Sequence, residues 1–361
     1  MKTEINNLIN AYADHVNNQR WFALADLHEP ETCSLLKIQA ERRAKNDFNG
    51  ILNVTHMTIN SVTEIAYEDV LDMLYQDYGT NIPIVALLEM EIKVKKNTKY
   101  FFNGVNFKLI SLKNINDQWK IYELHQLAEP ERLVEKNYCL PDNYNQVISC
   151  MNARRNGNFV DGKGIVYDQL YKCNDIQLRN VITKYTIPGP NTTVRLYRNG
   201  NIEELGFYDY TLAVSAGECR AYEFDGDPRK AINIAIKTYT WHYLIVPKND
   251  EAGYDITTQM QAYAPSYISE NSNVTVDMDA LADIWMESYK GAIFAAYYVA
   301  GAKNSNGKNG GELKQNGCLY LIEHGMCDDF YECVHYYYDN SSASTGGPVR
   351  FFDSNKNELN H

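Results

Sequence analysis

Glu218 closes the stretch YDYTLAVSAGE and is the acid whose setting points most directly to chemistry. It ends an apolar helical turn built from Tyr210, Ala213 and Val214. Unpaired carbonyls at a helix C-terminus carry partial negative charge and disfavour a carboxylate there. That suits a group that gives up a proton and takes one back. Arg220 opposes the effect if it lies close.

Three other groupings carry less. Cys318, His324, Cys327, Cys333 and His335 fall in one short stretch, but their spacing fits no compact zinc motif. Cys318 shares an apolar face with Leu321 and Ile322, so these read as core cysteines beside surface histidines, with no metal expected. KNSNGKNGGE is glycine-rich but lacks the G-K-[ST] ending of a phosphate loop. His56, Asp72 and His125 read as scattered surface and core residues.

Helices and a sheet must position these groups. Residues 1 to about 45 carry apolar residues at helical spacing: Ile5, Leu8, Ile9, Tyr12 and Val16, then Leu35, Leu36 and Ile38. Four alternating stretches follow: GILNVTHMTINSVTEI, IPIVALLEMEIKVKK, KYFFNGVNFKLISLK and QWKIYELHQL. They predict an antiparallel meander. NARRNGNFVDGKG reads as a linker, and Asn199-Gly200 as a hairpin turn. Asp209 is expected to cap the short helix before Glu218, and Asp227-Pro228 to open the next one. That next helix is apolar on both sides, which marks it as buried and central. The expected class is α+β: a unit over 1–130, a linker over 131–165 and a larger α+β unit over 166–355.

The 361 residues exceed one small core, and 45% hydrophobic with 22% charged residues is a globular balance. A net charge of -12 argues against nucleic acid as a partner. Eight cysteines without a C-x-x-C pair do not make a disulfide scaffold, although one or two bridges are compatible with an oxidising compartment. The start, MKTEINNLIN, has no signal-peptide pattern.

Five short segments, in order, resemble the stage II sporulation protein D family. GNIEELGFYDYTLAVSAGE is similar to the entry in which a D-Y pair leads to a glutamate. RKAINIAIKTYTWHYL is similar to the helix A-L-K-A-Q-A-x-A-A-R-T-Y. YDITTQMQAY resembles Y-D-x-x-D-T-x-x-Q-x-Y, and AIFAAYYVAGA resembles the strand A-x-Y-x-S-x-x-G-G. LKQNGCLYLIEHGMCDDFYECVHYYY is similar to the close M-S-Q-Y-G-A…Y-Y-Y. The likeness spans roughly residues 190 to 340. By element order alone, the N-terminal part resembles the cystatin-like cone of the nuclear-transport-factor-like superfamily.

The resemblance implies a lytic transglycosylase acting on peptidoglycan glycan strands outside the cytoplasm of a bacterium, its targeting segment absent from this chain. It implies Glu218 as the catalytic residue, with no cofactor. It carries over Lys237, Thr238 and Tyr239 at the R-T-Y, Gln261 and Tyr263 at the Q-x-Y, and Gln315 with Gly317 at the S-Q-x-G. Glutamine amides suit sugar hydroxyls and N-acetyl groups, and tyrosine rings suit sugar faces. Other cell-wall hydrolases or sporulation proteins stand as possible partners.

The sequence also departs from the family. Lys237 replaces an arginine, which loses a bidentate contact. Ile232 replaces a glutamine, and the stretch between Tyr263 and Gln315 is short. Gln259 and Met260 stand where some members bind zinc, so none is expected. These departures motivate an alternative: a degenerate glycan-binding or enzyme-activating module without turnover. A cytosolic protein with a small-molecule pocket in the cone is a third reading.

Overall fold

In the computed structural model, residues 2–42, 49–66, 69, 83–96, 98–126, 136–138, 159–160, 166–167 and 187–359 are described. The chain is α+β and falls into two compact units. One holds residues 1–186, 199–202 and 245–255; the other holds 187–198, 203–244 and 256–361. The linker expected over 131–165 lies outside the described residues, save for 136–138 and 159–160.

The first unit opens with α1 (Lys2–Asn17), α2 (Trp21–Ala25) and α3 (Pro30–Glu41). The Glu29 carboxylate caps α3 by accepting from the backbone of Glu31 and Thr32, and Pro30 occupies the first turn. Strands β1 (Val54–Ile65), β2 (Ile84–Val94), β3 (Gly104–Ile115) and β4 (Gln118–Gln126) form the expected antiparallel meander, in the order β1-β2-β3-β4. Asn116 and Asp117, both at positive φ, turn β3 into β4 with the primed geometry that matches strand twist. Ile9, Tyr12 and Val16 of α1 pack in one core with Met57, Leu88, Met90, Leu112 and Leu124. Two short strands, β5 (Phe159–Val160) and β6 (Val166–Tyr167), pair antiparallel.

The stretch 245–255 joins this first unit, outside the boundary that periodicity suggested. Buried charge holds it there. Lys108 donates to Asp250, and both are fully buried. Tyr100 Oη donates to Asp255 at 2.7 Å and Lys99 Nζ at 2.6 Å. His28 Nδ1 donates to the Leu24 carbonyl at 2.9 Å, and its Nε2 meets Glu251 Oε2 at 2.6 Å. Burial pulls the His28 pKa down, but the Glu251 carboxylate outweighs it and leaves it raised.

β7 (Thr193–Arg198) and β8 (Asn201–Gly206) meet at the turn of Asn199 and Gly200, both at positive φ; β7 and residues 203–206 of β8 belong to the second unit. Then come α4 (Phe207–Glu218), α5 (Asp227–Ile245) and β9 (Ile256–Thr257), which runs parallel to β7. α5 is the central helix: Ala231, Ile232, Ala235, Ile236 and Trp241 are fully buried. Two helix starts differ from expectation. α4 begins at Phe207 after Gly206, so Asp209 lies in its first turn and favours the dipole without being the cap. α5 begins at Asp227 itself, with Pro228 in the first turn.

The remainder is α6 (Asn273–Asp279), β10 (Trp285–Glu287), β11 (Tyr297–Val299), β12 (Glu312–Lys314), α7 (Gln315–Glu323), α8 (Phe330–Tyr338) and β13 (Arg350–Phe352). β10 pairs with β13, and β11 runs parallel to β12. β12 runs directly into α7, which puts Gln315 at the helix start. Among the described residues, no helix is long and apolar enough to cross a membrane.

Candidate functional site

α4 is buried from Tyr210 to Ala216, and its last two residues, Gly217 and Glu218, come up towards solvent. Glu218 is half-buried there. Both carboxylate oxygens accept hydrogen bonds from neutral donors. The Ala262 backbone N–H reaches Oε1 at 2.8 Å, and the Gln315 side-chain amide reaches Oε2 at 2.9 Å. Among the described residues Glu218 makes no ion pair. Arg220 turns away: its Nε donates to Glu270 at 2.8 Å, and its guanidinium lies 3.9 Å from the Tyr267 ring centre.

The Ala262 donor is aimed by small residues on α4. Ala264 N–H donates to the Ala213 carbonyl at 3.0 Å, laying residues 262–264 along the helix. A Cβ on Gly217 would stand 2.0 Å from the Ala262 carbonyl oxygen, so the approach requires glycine. Gln315 is buried, and the β12–α7 junction fixes its backbone.

Beneath the carboxylate lies a second polar set. Gln261 Oε1 accepts from Tyr210 Oη at 3.0 Å and Thr240 Oγ1 at 3.1 Å, and its Nε2 donates to Tyr298 Oη at 2.9 Å. Three of the four hydrogen-bonding positions of its amide are therefore taken inside the protein. Burial first, and the Glu218 charge second, push the Tyr298 phenol well above its ordinary pKa.

The structure thus brings Glu218, Gln315 and the segment of Gln261 together from three distant parts of the sequence. It places the other expected residues differently. Lys237 is buried: its Nζ donates to the Leu281 and Ile284 carbonyls and lies 3.9 Å from the Trp285 ring centre. Burial pulls its pKa down to about 7, with Asp283 opposing. Thr238 is buried beside it. Tyr239 is buried against Tyr243, Tyr297 and Tyr298, with centroids 4.9, 5.7 and 6.1 Å away. Tyr263 is half-buried, stacked on Tyr210 at 5.7 Å and faced by Arg198 at 5.0 Å. Lys237, Thr238, Tyr239 and Gln261 are buried in the framework, whereas Tyr263 and Glu218 are half-buried.

No family model matches the chain, and no curated protein or solved structure does either.

Among the described residues, no group of three or more His, Cys, Asp or Glu is arranged to hold a metal ion. Of the earlier triad, His56 is exposed, His125 is buried with Nε2 2.9 Å from Glu123, and Asp72 lies outside the described residues. Periodicity missed Tyr298 and the buried pairs around residues 250–255. The sequence signal for the latter was a polar run, KNDEAGYD, directly after an apolar helix.

Proposed function

We propose that the chain cleaves peptidoglycan glycan strands by a lytic route with Glu218 as acid and base, acting outside the cytoplasm. The second unit then takes the catalytic role that the sporulation-protein-D resemblance implies. The first supplies a cone-like module without the cleavage chemistry.

One observation carries the reading. Glu218 is a half-buried carboxylate at a helix C-terminus, held on both oxygens by neutral donors and unpaired with any cation among the described residues. A purely structural acid at that place sits against the helix dipole without the lysine or arginine that would compensate it. Neutral donors fix the carboxylate's direction without pairing it to a cation.

The chemistry balances on one carboxyl group. Protonated Glu218 gives its proton to the glycosidic oxygen as the bond from that oxygen to the anomeric carbon breaks. The muramic 6-hydroxyl oxygen then bonds to the anomeric carbon, and its proton returns to Glu218. No water is consumed and no second carboxylate is needed, in contrast to hydrolytic glycosidases. The amide of Gln315 and the N–H of Ala262 keep the carboxyl in place through both transfers.

The test is product analysis on purified glycan strands. Anhydro-ended fragments, lighter by one water than hydrolysis products, support the reading; reducing-ended products or none contradict it. One observation favours the alternative of a binding or activating module: Lys237, Thr238, Tyr239 and Gln261 all turn inward. Glycan retention without products is the outcome that reading requires.

A further inference from the structure

Two segments run side by side away from Glu218: residues 218–222, leaving the end of α4, and residues 262–270. Glu218 Oε1 accepts from the Ala262 backbone at 2.8 Å. Further along, Arg220 Nε donates to Glu270 Oε2 at 2.8 Å, and its guanidinium lies 3.9 Å from the Tyr267 ring centre. Tyr222 Oη then donates to the Glu270 carbonyl at 2.6 Å. Tyr222 opens a short 3₁₀ turn (Tyr222–Phe224) that the buried Phe224 anchors. Its own side chain is 66% exposed, more than any other large apolar side chain among the described residues. An outward tyrosine commonly puts its hydroxyl into water; here the hydroxyl donates to the protein and the ring meets the solvent. Four extended residues span at most about 14 Å, so this ring stands close to Glu218. The charges around it cancel: Arg220 pairs with Glu270 at 2.5 Å, and Glu223 with Lys303 at 3.2 Å.

We propose that Tyr222 is the stacking platform of a sugar subsite that takes an uncharged pyranose ring of the N-acetylhexosamine class, next to the bond that Glu218 cleaves. The proposal rests on the functional reading above for the choice of a glycan; the class of sugar comes from the surroundings of the ring. A pyranose has an apolar C–H face rimmed by hydroxyls and amides. Tyr222 offers the complement, an apolar face rimmed by the side chains of two ion pairs. A lipid or aliphatic ligand asks for a wider apolar patch. A phosphate or carboxylate asks for unbalanced positive charge, and here each cation already faces an acid. The ring is held at its hydroxyl and, through Phe224, at its backbone, so little freedom is lost on binding. The matched motifs end at Glu218 and resume at Arg229, so Tyr222 is not among the residues that the resemblance carries over. Of the two tyrosines it does offer for sugar faces, Tyr239 is buried and Tyr263 is stacked on Tyr210.

The test is calorimetric titration with chitotetraose, an uncharged N-acetylglucosamine oligomer, on the full chain carrying Glu218→Gln so that no turnover intervenes. The expected result is binding by this parent, about tenfold weaker once Tyr222→Ala is added. Tyr222→Phe, which keeps the ring and drops the hydroxyl, should stay within about threefold of the parent. Affinity should hold within about twofold between about 0.05 and 0.5 M salt, because no net charge is matched. Both variants should melt close to the parent, the side chain being exposed. Equal binding by Tyr222→Ala, no binding by the parent, or a steep loss with salt overturns the proposal, even where glycan strands are cleaved. Ring-dependent binding with no anhydro-ended products from wild type upholds the subsite and sinks the lytic reading instead.

Discussion

The side-chain amide of Gln315 donates to Glu218 at 2.9 Å, joining the start of one helix to the end of another across 97 residues. On the proposed mechanism this bond aims the carboxyl group. Gln315→Ala should therefore lower kcat for glycan cleavage by roughly 10–100-fold, with KM changed much less. Steady-state kinetics on one glycan preparation read the split. A change confined to KM means that Gln315 contacts substrate instead.

Gly217 is the point at which the segment carrying Ala262 crosses α4. A methyl group there would stand 2.0 Å from a backbone oxygen, which cannot move without its segment. Gly217→Ala should destabilise the protein by about 1–3 kcal/mol and reduce cleavage together. Urea unfolding gives the first quantity. An unaltered midpoint would mean that residues 262–264 shift freely.

Lys237 separates a binding role from a framework role. Its ammonium satisfies two carbonyls, Leu281 and Ile284, away from solvent. Lys237→Met leaves those oxygens unpaired, at about 1–3 kcal/mol. Stability should fall while glycan affinity of the folded fraction stays near wild type. A variant of normal stability that no longer binds glycan restores the contact role the sequence suggested.

The His28–Glu251 pair predicts a pH response. The folded pKa of His28 is raised, so its stabilisation is complete below the unfolded value of about 6.5. It is lost as pH rises through the folded pKa. Thermal unfolding from pH 5 to pH 9 should show this fall. His28→Gln should flatten it and cost about 3–5 kcal/mol at low pH, since Glu251 is left buried without its partner. A variant with the wild-type pH slope assigns the dependence elsewhere.

Much of this fold was legible because its elements obey simple periods. α1, the four-strand meander and the buried α5 follow from apolar spacing, and the turn at Asn199-Gly200 from residues that tolerate positive φ. The position of Glu218 at the end of α4 was likewise readable from its apolar turn. What was not readable depends on long-range closure. Nothing local tells that Asp250, Glu251 and Asp255 are buried, because their partners Lys108, His28 and Lys99 lie far away in sequence. The same holds for Lys237: a cation on a helix looks available until its carbonyl partners are seen to enclose it. Gln261 was placed in the right neighbourhood, but which way its amide faces was fixed by Tyr210, Thr240 and Tyr298.

The central claim is that Glu218 itself moves the proton. The most direct measurement is the release of anhydro-ended fragments by wild type and Glu218→Gln on the same glycan strands. The amide keeps the size and shape but cannot trade a proton at neutral pH. The account predicts release by wild type and a loss of about 10²–10⁴ in rate for the variant, with its melting temperature close to wild type. Equal release by the two proteins would contradict it and make Glu218 a structural residue at the end of its helix.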